Sequence, residues 1–133
     1  MLLLDSSALL AATVDGPHRP SMLDAMSHHD VRCASALALA EALPAIDRLT
    51  DDPIQRADLE DALRITWDFL YVVPVDAGCL EIAAELARRR MMRMTDAIHL
   101  AAATRLPSPV VFATVDPSQI SLAAELGFEV WST

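Results

Sequence analysis

The sequence predicts an α/β protein with a parallel sheet covered by helices on both faces. Short apolar runs alternate with helical stretches along the chain, and two of those runs, "MLLL" and "VVFATV", read as buried strands. Each of the two ends on an aspartate, Asp5 or Asp116. Acids at strand ends matter because ligands of open parallel sheets gather beyond the carboxyl ends of the strands.

The elements follow in order. After "MLLL", helical "SSALLAATV" leads through a polar connector containing "DGPHRP" to a helical stretch around "MLDAM", and "DVRCA" reads as the second strand. "ALALAEAL" is a helix with Pro44 marking a disturbance near its end. A long amphipathic helix runs from about Pro53 to Leu70, with Leu59, Leu63, Trp67 and Leu70 at helical spacing. "YVVPV" is extended, and Pro74 places it at a sheet edge or strand end. The remaining helices begin behind Asp76, Thr95 and Asp116, the last closed by Gly127, and "FEVW" is the final strand.

At 133 residues the chain reads as one domain, 1–133, long enough to bury a sizeable core. Its 53% hydrophobic content is high for that length and leaves apolar surface available for a partner interface. No apolar run approaches the roughly 18 to 20 residues that cross a bilayer, and the start "MLLLDSSALL" has no basic segment, so a soluble cytoplasmic protein is expected. Cys33 and Cys79 read as reduced core thiols. The net charge of −9 argues against a broadly basic nucleic-acid surface, but leaves open contact with phosphates through metal ions.

All ten basic residues are arginine and only three glycines are present, which removes the phosphate loop ending in Gly-Lys and the Gly-x-Gly-x-x-Gly dinucleotide turn. Receiver-type phosphoacceptor domains fail for want of their lysine.

Four acids carry the candidate chemistry. Asp5 serves equally well as an N-cap for the following helix or as a site residue. Asp116 opens "DPSQ", a capping-box pattern that also occurs at Asp52 in "DPIQ", so capping is its stronger reading from the residues alone. A capping acid can still lend its second oxygen to a metal. Glu41 is the sole charged or polar residue between Ser35 and Asp47, which favours a site role, since a buried carboxylate needs a partner, a metal or a proton. Asp96, in the first turn of its helix, is explained either by the helix dipole or by a site. The convergence of two acids at strand ends and two on sheet-packed helices favours one common site.

"LLLDSSALL", "ASALALAEAL", "TDAIHLAAA" and "FATVDPSQISLAAELGFEV" resemble, in order and spacing, the acidic motifs of PIN-domain ribonucleases, especially the VapC-type toxins of bacterial toxin–antitoxin pairs. The resemblance implies a five-stranded parallel sheet and a Mg²⁺ or Mn²⁺ pocket formed by Asp5, Glu41, Asp96 and Asp116, with Ser7 as a supporting hydroxyl. It also implies an RNA substrate, a homodimer and a VapB-type antitoxin covering the site. Hard divalent cations prefer oxygen ligands, and two of them can support an in-line displacement by water, which predicts 5′-phosphate and 3′-hydroxyl ends.

Arg88, Arg89, Arg90 and Arg93 form the densest positive charge, readable as a solvated helix end or as an RNA-phosphate contact. His28 and His29 read as surface residues pointing apart, and Met91, Met92 and Met94 as packing residues. Two alternatives are a metal-free, all-helical HEPN-type ribonuclease using Arg93 and His99 in an R-x5-H arrangement, and a non-catalytic PIN-like binding module.

Overall fold

The computed structural model describes residues 1–132. Five strands, β1 (Leu2–Leu4), β2 (Arg32–Ser35), β3 (Tyr71–Val73), β4 (Val111–Ala113) and β5 (Glu129–Trp131), form one sheet in the order β3-β2-β1-β4-β5. Every neighbouring pair is parallel. Seven helices accompany them among the described residues: α1 (Ser6–Thr13), α2 (Arg19–Ser27), α3 (Ala36–Leu49), α4 (Pro53–Asp68), α5 (Ala77–Arg89), α6 (Met94–Thr104) and α7 (Pro117–Glu125).

The central strands β1 and β4 are apolar because both of their faces are covered. Successive side chains of a strand point to opposite faces, and here Leu2, Leu4, Val111 and Ala113 enter one core with Leu9, Met22, Ile46 and Leu63. Leu3, Cys33 and Phe112 enter the other, with Leu100 and Ala123. The run of small residues in α6 lets α5 lie close against it, through Cys79, Ala83, Ala97 and Ala101. Both cysteines are free and buried.

The chain builds outward from β1 to β2 and β3, then crosses back to β4 on the other side of β1. This reversal opens a crevice at the carboxyl ends of β1 and β4, the place where open α/β sheets bind ligands. The five parallel strands also remove the all-helical HEPN alternative.

The observed elements differ from the sequence reading at several points. Helix α3 runs through Pro44 to Leu49 instead of being disturbed near it. Proline removes one backbone hydrogen bond, but Pro44 and Ala40, whose carbonyl loses its donor, are both exposed, while Ala42 and Ile46 hold the helix to the core. Helix α6 begins at Met94, one residue before Thr95, with Arg93 at its N-cap.

His28 and His29 do not point apart. Their Nδ1 atoms bond back to the carbonyls of Asp24 and Ala25, where helix α2 runs out of partners, and both rings lie against Trp131. Of the three methionines only Met92 packs on the core; Met91 is fully exposed and Met94 partly so.

Candidate active site

Asp5 follows β1 directly and caps α1, as its sequence position suggested, but capping uses only part of its carboxylate. Oδ1 accepts from Ala8 N at 2.9 Å and from Ser7 Oγ at 2.7 Å, and Oδ2 accepts from Thr114 Oγ1 at 2.5 Å. The residue is 2% exposed. Burial pushes its carboxyl above the ordinary range, and the hydrogen bonds from Thr114, Ser7 and Ala8 pull it back down.

Ser7 and Thr114 tie this acid to the next. Ser7 Oγ also accepts from Val115 N, and Thr114 Oγ1 accepts from Asp116 N, so the segment after β4 is laid out by the same hydroxyls that hold Asp5. Asp116 is the N-cap of α7, its Oδ1 accepting from Ser118 N and Oγ, which leaves Oδ2 directed elsewhere. Capping therefore leaves one carboxylate oxygen of this residue facing the cavity. Gln119 does not close the capping box; its amide instead approaches the Asp96 carbonyl oxygen at 3.4 Å.

Asp96 is buried at the start of α6, and Arg93 grips it with a fork: Nε to Oδ2 and Nη2 to Oδ1, both at 3.0 Å. The same Nη2 reaches Asp116 Oδ2 at 3.2 Å. One guanidinium thus bridges two of the four acids.

Glu41 is half-buried, and its partner is His99. Nε2 lies 2.5 Å from Glu41 Oε1, while Nδ1 lies 3.0 Å from Ser35 Oγ at the end of β2. The His99 hydrogen bond holds the Glu41 carboxyl below its usual range, outweighing burial, with a further hydrogen bond from Ser6 acting in the same direction.

A cavity of about 270 Å³ opens among these groups, lined by Ser6, Ser7, Glu41, Arg48, Arg93 and Asp116 with Leu10, Ala42 and Ala45. Three of the four acids belong to one hydrogen-bonded chain, and the fourth, Glu41, lines the cavity with Asp116. Asp5 and Asp116 are linked through Thr114, and Asp116 and Asp96 through Arg93, whereas Glu41 is held by His99. Among the described residues, no three acids or histidines are drawn together into a ready-made metal cage. The donors around the cavity are nevertheless carboxylate and hydroxyl oxygens, the set that suits a hard divalent cation.

The basic run divides. Arg89 pairs with Glu85 and Arg90 with Glu125, and of the four arginines only Arg93 lines the cavity. Arg48 was missed in the sequence. Its signal was present: it lies seven residues after Glu41 in α3, two turns along the same helix face. Thr114 and Ser35 were missed as holders of Asp5 and His99, because hydroxyls next to strand ends are common and only the packing shows whom they serve.

A parallel α/β sheet with acids at its switch point, beside a cavity lined by carboxylates, hydroxyls and two arginines, defines the class of protein. A family model for the PIN domain matches residues 2–125, and the chain belongs to that family. Its fold is similar to that of FitAcB from Neisseria gonorrhoeae (TM-score 0.75, 17% identity, covering 98% of this chain and 96% of that one). It is likewise similar to VapC20 from Mycobacterium tuberculosis, described as a sarcin-ricin loop cleaving toxin (TM-score 0.73, 17% identity, 96% of each chain). VapBC2 from Rickettsia felis, bound to a promoter DNA fragment, shows the same likeness (TM-score 0.71, 12% identity, 99% and 98%). No curated protein sequence matches the chain.

Proposed function

We propose that the protein is a divalent-metal-dependent endoribonuclease of VapC type, the toxin of a toxin–antitoxin pair. The observation that carries this reading is the hydrogen-bonded chain that joins Asp5, Asp116 and Asp96 beside a cavity lined by Asp116 and Glu41 at the carboxyl edge of the sheet. PIN-domain membership supports a nuclease, and the structural likeness to VapBC and FitAB proteins supports the toxin role and a VapB-type antitoxin partner. In this reading the chain acts as a single domain, as a homodimer and in the cytoplasm. Among the described residues no helix is long and apolar enough to cross a membrane.

A bound Mg²⁺ or Mn²⁺ would supply positive charge to offset the charge that builds on the phosphate and to acidify the attacking water. Asp5, Asp96 and Asp116, with Glu41, would hold it. The chain's own groups supply the rest. Ser7 and Thr114 orient Asp5, His99 orients Glu41, and Arg48 offers an unpaired guanidinium at the cavity rim for a backbone phosphate. Because water and not the ribose 2′-hydroxyl is the nucleophile in this reading, the products carry 5′-phosphate and 3′-hydroxyl ends.

The test is incubation of total RNA with the purified protein in Mg²⁺ or Mn²⁺, in EDTA, and as the Asp96→Asn variant. Cleavage only by the wild type with metal is expected. Cleavage surviving EDTA and Asp96→Asn overturns the reading, and binding of RNA with no cleavage under any condition returns the protein to a non-catalytic binding module.

A further inference from the structure

Arg93 is placed where no surface arginine needs to be. Its fork satisfies both oxygens of Asp96 and adds the free oxygen of Asp116, the one that helix capping leaves over. Bidentate guanidinium–carboxylate pairs are among the stronger charge-assisted contacts, and this one engages two of the acids assigned to the metal. An arginine stays charged at any ordinary pH, so the contact cannot lapse by deprotonation. Only movement of the side chain frees the two carboxylates.

The local structure permits that movement. The Arg93 side chain is 70% exposed, so only its tip is committed to the site. Its backbone carbonyl accepts from Ala97 N to start α6, a bond that does not depend on where the guanidinium lies. The residue has extended backbone angles ahead of the helix, so a swing of its side chain unpacks no turn of α6.

We propose that Arg93 is an internal cation standing in for the divalent ion between Asp96 and Asp116, so that metal binds only as the guanidinium lets go. The inference rests on the nuclease reading above and adds to it a built-in competitor that sets the metal affinity. Arg93 prevents the acids from repelling one another in the metal-free chain and lowers the affinity for the ion that replaces it. Once displaced, its charge remains at the cavity rim, beside the groups that face substrate phosphate.

The experiment is calorimetric titration of Mn²⁺ into the metal-free wild-type protein and into Arg93→Gln, with thermal melting of both in EDTA and in Mn²⁺. Arg93→Gln is expected to bind Mn²⁺ about fivefold more tightly, the equivalent of an ion pair no longer displaced. It is also expected to melt lower than wild type in EDTA and to gain more from Mn²⁺. Arg93→Lys keeps the charge without the fork and should fall between the two, which also serves if the glutamine variant does not fold. Equal or weaker Mn²⁺ binding by the folded variant overturns the inference and leaves the nuclease reading standing. Absence of Mn²⁺ binding in both proteins overturns the nuclease reading, and the inference with it.

Discussion

His99 is strung between two elements of the site: its Nε2 lies 2.5 Å from Glu41 Oε1 in the middle of α3, and its Nδ1 lies 3.0 Å from Ser35 Oγ at the end of β2. An ionised carboxylate only accepts, so Nε2 carries the proton that points at Glu41. The ring is 2% exposed and cannot swing without opening the core between β2 and α6.

Replacing His99 by alanine leaves Ser35 and Glu41 without their partner and should cost about 1 to 3 kcal/mol of stability. Because Glu41 also loses its orientation, RNA cleavage should fall further than the folded fraction does. His99→Gln, which retains an amide donor, should recover part of the cleavage. Denaturant unfolding and cleavage rates on the two variants check this; full activity in a folded His99→Ala protein would separate His99 from the site.

Glu41 and Asp5 should shift acid stability in opposite directions. Glu41 titrates below its ordinary value of 4.5 in the folded chain, so the stability it contributes is fully present above 4.5 and is lost as the pH falls through its folded value. Asp5 titrates above 3.8, so it costs nothing below 3.8, and the cost grows as the pH rises through its folded value. In EDTA, Glu41→Gln should therefore flatten the acid limb of a stability profile. Asp5→Asn should raise the unfolding midpoint at pH 7, with the gain vanishing below 3.8, while abolishing cleavage. Denaturant midpoints across pH measure both effects.

Much of this arrangement was legible in the chain. Asp5 and Asp116 announce themselves by standing at the ends of apolar strands, and Glu41 by its isolation among apolar neighbours in α3. Arg93 was legible as a charge but not as a contact. Its i,i+3 spacing to Asp96 is the spacing of an intrahelical ion pair, yet the adjacent arginines made it look like part of a solvated run. What the sequence hides is long-range: Ser35 reaches His99 across 64 positions and Thr114 reaches Asp5 across 109, and no local pattern encodes either. Pro44 misled for a different reason. The lost hydrogen bond costs least where its carbonyl partner can reach water, and here both Pro44 and Ala40 are exposed.

Arg48 should contribute to RNA affinity without contributing to fold. It lines the cavity, and its guanidinium bonds to no other described residue. Arg48→Gln should weaken RNA binding for every sequence alike and reduce the slope of log affinity against log salt by roughly 0.7 to 0.9. Arg89→Gln, which removes only the exposed pair with Glu85, is the control and should leave the slope unchanged. Binding titrations at several salt concentrations decide between them.

Gly127 tests the scaffold apart from the site. Its φ of +87° lies in the left-handed region, and a Cβ there would meet nothing within 4 Å, so the cost of Gly127→Ala is backbone strain alone. About 1 to 2 kcal/mol of lost stability is expected, with cleavage by the folded protein unaltered. A larger loss, or a specific loss of cleavage, would show that the turn between α7 and β5 does more than close the helix.

The central claim is that the acids around this cavity cut RNA with water as the nucleophile, and the chemistry of the new ends tests it most directly. Labelled RNA cut by the wild-type protein in Mg²⁺ should yield fragments whose 5′ ends are phosphorylated and whose 3′ ends accept a ligated adaptor without prior phosphatase treatment. Fragments ending in a 2′,3′-cyclic phosphate, with 5′-hydroxyl partners, would show that the ribose itself had attacked and would contradict the account.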